Sequence, residues 1–232
     1  MRAEDAYVAV WRAARVPAER TGLLDALGRS TSRTGRHLRS MFAIHDVADM
    51  AALDLAWWTY GAIAAVEAHL DAQAGQARVF EYGSGASTLW LGRRAAEVHS
   101  VEHDAGFHAF LQPLVTPLPH VEVRLVEPVR TATPQTPSRR HGHAGLDFTA
   151  YVHAIDDVDG DLDLVVVDGR ARVASARHAL ARLAPDGVLL LDNANRDEYA
   201  TVVRDPSLDV RVLRGATPCL PYPTATALIR RR

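Results

Sequence analysis

The chain contains no lysine: all 26 of its basic residues are arginine. That absence removes Schiff-base and pyridoxal chemistry and the lysine of a phosphate-binding loop. Arginine and alanine are both in excess, which points to a GC-rich genome as its origin. Cys219 is the single cysteine, so no disulfide can form within the chain, and no apolar run reaches the ~18 residues that a membrane span requires. A net charge of −2, with 23% of residues charged, supplies no global field for nucleic acid or an anionic membrane. Arg230-Arg231-Arg232 is too short to change that. With no signal-peptide-like apolar segment at the start, the expected setting is soluble and cytoplasmic, and the expected partner is a small molecule. Asparagine is also scarce: Asn193 and Asn195 are the only two, both directly behind an apolar run ending in Asp192. Turn chemistry and a functional cause are both open there.

At 232 residues the chain suits one compact unit that can bury a full core. From Ala3 to about Leu70 the apolar residues keep helical spacing, which predicts three or four helices and an N-terminal helical cap over residues 1–75. Within it, Gly28 to Ser40 is rich in Arg, Ser, Thr and Gly and is expected to be a mobile connection. From Ala77 onward short apolar runs alternate with amphipathic segments, which predicts β-α-β units and a mainly parallel sheet over 76–232. Strands are expected at Arg78–Tyr82, Glu97–Glu102, Val121–Val126, Leu162–Asp168, Val188–Asp192, Asp209–Leu213 and Thr224–Arg230. Between the third and fourth, Glu127 to Gly145 carries prolines and small polar residues and forms a long loop, either a lid or plain surface. Trp11, Trp90, Phe107 and Phe110 sit at helical spacings and are expected in the core, while Trp57 and Trp58 divide between core and cleft.

The most informative stretch runs from Arg78 to Asp104. A strand-like run enters the turn Gly83-Ser84-Gly85, a helical segment follows, and a second strand ends in Glu102. Such a turn lets backbone approach a ligand closely, and an acidic residue at the second strand end can accept hydrogen bonds from a ribose diol. A dinucleotide fingerprint wants glycine or alanine where Thr88 stands. Glu81 would repel a pyrophosphate yet suit the ammonium of a nucleoside that bears an amino acid. Val165-Val166-Val167-Asp168 and Leu189-Leu190-Leu191-Asp192 bring two more carboxylates to strand ends, where open parallel sheets bind ligands.

Glu81-Tyr82-Gly83-Ser84-Gly85-Ala86-Ser87-Thr88 together with Glu102 resembles the first two motifs of class I S-adenosylmethionine-dependent methyltransferases. The resemblance runs from about Trp57 to Ile229 and implies a Rossmann-like α/β fold, a seven-stranded mostly parallel sheet with an antiparallel last strand. By that likeness Glu81, Gly83, Ser84, Gly85 and Ser87 would line the methionine end, although Ser87 stands where the family often has a third glycine. Glu102 would hold the ribose, and His103 and Glu127 would lie near the adenine, with Asp168 also at the cofactor. Trp57-Trp58-Thr59-Tyr60 resembles the segment that closes over the cofactor in bacterial members, which adds Tyr60 to the cofactor contacts. Methyl transfer to a hydroxyl of a small molecule is the activity implied. N-methylation, aminopropyl transfer and a non-catalytic nucleotide-binding scaffold are the alternatives, and a homodimer is compatible with the reading.

Asp168, Asp192 and Asn193 are further similar to the metal ligands of catechol- and caffeoyl-type O-methyltransferases, which implies Mg²⁺, Mn²⁺ or Ca²⁺ activating the acceptor hydroxyl. Arg170 and Arg172 follow closely and could neutralise the carboxylate instead. Without a metal the acceptor needs a base. His141 and His143 on the long loop, Asp168, and Tyr151 after the loop are the candidates.

Overall fold

In the computed structural model, which describes residues 3–232, the Val- and Leu-rich runs form the inner strands of one sheet, and their alternation decides what covers each face. In chain order the strands are β1 (Arg78–Tyr82), β2 (Glu97–Glu102), β3 (Val121–Leu125), the short β4 (Val129–Arg130) and β5 (Leu146–Asp147), β6 (Leu162–Val167), β7 (Leu183–Leu191), β8 (Leu208–Gly215) and β9 (Thr224–Arg231). The helices are α1 (Ala3–Arg20), α2 (Leu23–Gly28), α3 (Arg33–Met41), α4 (Val47–Ala52), α5 (Tyr60–Ala72), α6 (Ala86–Gly92), α7 (Ala105–Val115), α8 (Thr149–His153), α9 (Arg172–Ala179) and α10 (Ala200–Val203).

Seven strands pair in the order β3-β2-β1-β6-β7-β9-β8, with β9 antiparallel to both its neighbours and the other pairings parallel. The order reverses between β1 and β6, which both run to the same edge, and that switch point is where open α/β sheets hold ligands. Successive residues point to opposite faces. Val79, Leu164 and Val166 join Ile44, Met50 and Trp58 of the N-terminal helices in one apolar cluster, while Phe80, Val165 and Val167 join Tyr151, Ile155 and Ala176 in the other. The helical cap therefore shares its apolar packing with the sheet. Trp58 and Trp90 meet edge to face at 5.8 Å, both fully buried, an arrangement that adds about 1 kcal/mol beyond the area they cover.

Among the described residues five helices precede the sheet where three or four were expected, and the difference lies in Gly28–Ser40. That segment is not an unstructured connection, because Ser32 caps α3 by accepting from the Gly35 N–H at 3.0 Å, and Gly35, Ser40 and Met41 are buried. Phe110 also departs from expectation: on α7 it is 52% exposed, outside the core that takes Trp90. Trp57 and Trp58 divide as expected, Trp58 inward and Trp57 against Gly85. The loop after β3 is tied down by its own ladder: β4 pairs with β5, Pro137 bridges to Asp147, and the Phe148 N–H donates to the Thr136 carbonyl at 2.9 Å. Among the described residues no helix is long and apolar enough to cross a membrane.

Candidate functional site

The turn after β1 exists because two strand ends touch. Gly83 has φ +94°, and a Cβ there would stand 2.5 Å from the Gly169 Cα at the end of β6. Gly169 in turn lies under the Tyr151 hydroxyl and against the Gly83 backbone. Only glycine permits both the dihedral and the approach. The turn is then held from below by Glu81, which is completely buried. Its Oε1 accepts from Ser87 Oγ at 2.5 Å, and its Oε2 accepts from Thr88 Oγ1 at 2.5 Å and Ser100 Oγ at 2.7 Å. Thr88 Oγ1 also accepts from the Gly85 N–H at 2.8 Å, and Ser84 Oγ meets Ser100 Oγ at 2.7 Å. Burial pushes the Glu81 carboxyl up to about 7 against the pull of these three hydroxyls.

This corrects the role expected of Glu81. With no exposed surface and both oxygens engaged by the chain's own hydroxyls, it has no face to offer an ammonium. It braces the loop that would meet the ligand. Ser87, expected at the methionine end, is buried and donates to Glu81 in the same brace. Thr88, which mattered to the sequence reading only as a departure from a dinucleotide fingerprint, ties the helix start to both Glu81 and Gly85. The signal was available: three hydroxyl residues lie within reach of one strand-end carboxylate.

Glu102 differs from Glu81 in the way that matters for binding. Its Oε1 accepts from the backbone N–H groups of His103 at 2.7 Å and Asp104 at 2.8 Å, while its Oε2 has no hydrogen-bonding partner among the described residues. His103 Nδ1 lies 2.6 Å from the same Oε1 but outside hydrogen-bonding geometry. One oxygen is locked and one is left over. The next residue, His103, packs against His143 at 5.6 Å, Phe148 at 5.9 Å and Tyr151 at 6.3 Å between centroids.

The structure separates the candidate bases. His143 is brought to this cluster, its Nδ1 3.2 Å from the His141 carbonyl and its Nε2 3.4 Å from Arg170 Nε. Those partners put the proton on Nδ1 and leave Nε2 as the acceptor. Burial, helped by the charges of Arg170 and His103, holds His143 below the ordinary imidazole range and outweighs the His141 carbonyl. His141 is exposed on the loop and is not brought to the site. Tyr151 is buried with a hydroxyl that makes no hydrogen bond, and burial raises its pKa far above neutrality, so it cannot serve as a base. Tyr60 is committed to the cap, its hydroxyl 3.4 Å from His37 Nδ1, and Glu127 is exposed after β3.

The proposed metal position is filled by a guanidinium. Arg172 is buried, with Nη2 2.6 Å from Asp168 Oδ1 and 2.5 Å from the Asp168 carbonyl, Nη1 2.8 Å from the Asp192 carbonyl, and Nη1 3.5 Å from Asn193 Oδ1. Asp192 spends Oδ1 on the Thr226 hydroxyl at 2.8 Å and Oδ2 on Asn193 Nδ2 at 2.6 Å. Burial, reinforced by Asp168, pushes Asp192 up to about 7. A permanent cation among these oxygens does not leave a divalent ion its ligands, so Asp168, Asp192 and Asn193 do not fit a metal site. Asp168 Oδ1 is committed to that guanidinium at 2.6 Å.

No family model and no curated protein matches the sequence. By structure the chain is similar to an O-methyltransferase from Bacillus cereus in complex with S-adenosylhomocysteine, at 15% identity and a TM-score of 0.56, covering 97% of this chain and 100% of that one. It is also similar to an rRNA methylase from Streptococcus thermophilus, at 12% identity and a TM-score of 0.50, covering 73% of this chain and 95% of that one. At such identities the likeness speaks for architecture alone, and the chain folds as class I S-adenosylmethionine-dependent methyltransferases do.

Proposed function

We propose that the chain transfers a methyl group from S-adenosylmethionine to a hydroxyl of a small molecule, with no divalent ion at the ends of β6 and β7. The observation that carries the reading is Glu102, a strand-end carboxylate with one oxygen pinned by two backbone amides and the other without a partner, beside a glycine turn at the switch point of this fold. A pinned carboxylate loses little freedom on binding, and its spare oxygen matches one hydroxyl of a ribose. The bound sulfonium supplies an electrophilic methyl. The chain then has two tasks, holding the acceptor oxygen in line with that methyl and removing the acceptor's proton.

His143 suits the second task. Its lone pair on Nε2 faces Arg170 Nε at 3.4 Å, a long contact that an acceptor hydroxyl can replace, and its depressed pKa keeps it neutral at pH 7. A neutral imidazole base favours a hydroxyl acceptor, because a neutral amine needs no deprotonation before attack. The likeness over nearly the whole chain to the Bacillus cereus O-methyltransferase supports the same choice.

Calorimetric titration of S-adenosylhomocysteine into the wild-type chain and into Glu102→Ala tests the reading. A charged hydrogen bond contributes about 1.5–3 kcal/mol, so the variant is expected to bind roughly 10- to 150-fold more weakly. Equal binding by the two proteins, or none by either, would overturn it.

A further inference from the structure

A cleft of about 700 Å³ has Gly169 and Arg170 in its lining and does not include Glu102. Its walls are the loop segment 135–140, the start of α9, and residues 196–201 after β7. Six arginines line it, Arg139, Arg140, Arg170, Arg172, Arg177 and Arg196, against two carboxylates, Asp197 and Glu198. The charge of Arg172 is spent on Asp168, and Arg196 stands 4.0 Å from Glu198. The other four have no carboxylate within pairing distance among the described residues.

That imbalance is local, since the chain as a whole carries a net charge of −2. Arg170 shows its cost. It is partly buried, among the described residues its guanidinium hydrogen-bonds only to His143 and the Gly169 carbonyl, and burial together with Arg140 and Arg172 disfavours its charge. A buried charge without a partner is expensive, and an anion entering the cleft would relieve it. The wall is also prepared in advance: the Gln135 N–H donates to Asp147 Oδ2 at 2.5 Å, and Thr149 Oγ1 donates to Thr136 Oγ1 at 2.9 Å. The volume falls within the range of small-ligand sites, and guanidinium groups match phosphate and carboxylate oxygens two at a time.

We infer that this cleft binds a small molecule bearing a phosphate or paired carboxylates, and that this group is the anionic end of the methyl acceptor. The second half rests on the methyl-transfer reading and the first does not. Arg170 joins the two, because it lines the cleft and its Nε lies 3.4 Å from His143 Nε2. An anion drawing the guanidinium toward the cleft would release the imidazole lone pair for the acceptor's proton.

The test is calorimetric titration of the full chain with pyrophosphate and, separately, with citrate, at low and at moderate salt, for the wild type and for the double variant Arg139→Gln, Arg140→Gln. Both residues are exposed, so an unchanged melting temperature is expected and checks that the fold is intact. One-to-one binding is expected, weakened by salt and by roughly tenfold or more in the variant, while the affinity for S-adenosylhomocysteine stays the same. Pyrophosphate preferred over citrate identifies a phosphate ligand, and the reverse a carboxylate, each supporting the inference. No saturation by either probe at about 10 mM, or equal affinity in both proteins, overturns it. Tighter binding of a single-stranded oligonucleotide, abolished by the same substitutions, also overturns it in favour of a nucleic-acid surface. Should pyrophosphate bind and S-adenosylhomocysteine not, the methyl-transfer reading falls and the anion cleft stands.

Discussion

Replacing Glu81 by Gln tests whether a buried carboxylate under the glycine turn is held against its own chemistry. Burial raises the group from an ordinary 4.5 to about 7, so the folded state takes up a proton more readily than the unfolded chain does. The contribution is therefore fully present below pH 4.5 and is lost as pH rises toward 7. At roughly 1.4 kcal/mol per pH unit that interval is worth about 3 kcal/mol. Gln cannot ionise and carries no such slope. Its carbonyl can keep the donors Thr88 and Ser100, while its amide nitrogen falls on Ser87, whose hydroxyl must turn to accept. One amide hydrogen is left without a partner, which costs about 1–2 kcal/mol. The variant should thus be less stable than wild type near pH 5 and should gain about 3 kcal/mol on it by pH 8. Urea unfolding across that range measures the difference directly, and a thermal scan should show it as a relative movement of roughly 6–12 °C. Asp192 titrates in both proteins and cancels. A difference constant to within about 0.5 kcal/mol would refute the reasoning, because the three hydroxyls would then be keeping Glu81 ionised throughout.

Two further outcomes follow from the same geometry. Arg172→Met strips the counter-charge from the partly buried Asp168 and leaves the Asp168 and Asp192 carbonyls without their donor, and should cost about 3–5 kcal/mol in urea unfolding at pH 7, while wild-type activity survives exhaustive chelation. His143→Ala should lower single-turnover methyl transfer by about 10²- to 10⁴-fold without weakening S-adenosylhomocysteine binding, whereas His141→Ala leaves the rate unchanged. The wild-type rate should fall only at a pH below the ordinary imidazole range, since His143 must lose its lone pair to a proton before it fails as a base.

The strands were legible because a parallel sheet buried on both faces leaves a plain mark: apolar runs such as Leu164–Val167, flanked by polar residues. All seven strands of the main sheet fall where the apolar runs put them, and the reversed last strand is where it was expected. The missed helix α3 shows the limit of composition. Arg33–Met41 reads as a polar connector, yet a Ser32 cap and burial of Met41 against the neighbouring helices suffice to wind it. Phe110 errs the other way, because helical spacing says that a residue shares a face and not which face finds a partner.

In the site, residue types were legible and their pairings were not. Glu81 and Glu102 look alike as acidic ends of adjacent strands, but Ser87, Thr88 and Ser100 converge on the first and only backbone amides reach the second. Hydroxyls near in sequence decided which carboxylate became a brace and which kept a free oxygen. The Asp168, Asp192 and Asn193 positions carry the same lesson further. Their spacing resembles that of the metal ligands in catechol- and caffeoyl-type O-methyltransferases, and Arg172 four places after Asp168 was visible from the start, but an arginine there could as well have pointed into solvent. Burial of its guanidinium among the Asp168 and Asp192 carbonyls, above the Tyr199 ring at 5.8 Å, is a product of tertiary packing. The sheet edge therefore carries its own fixed cation where the resemblance implied a removable one. The positive charge at this edge is then built from arginine throughout, as a chain without lysine requires, and it fits the proposed neutral base and cationic cleft.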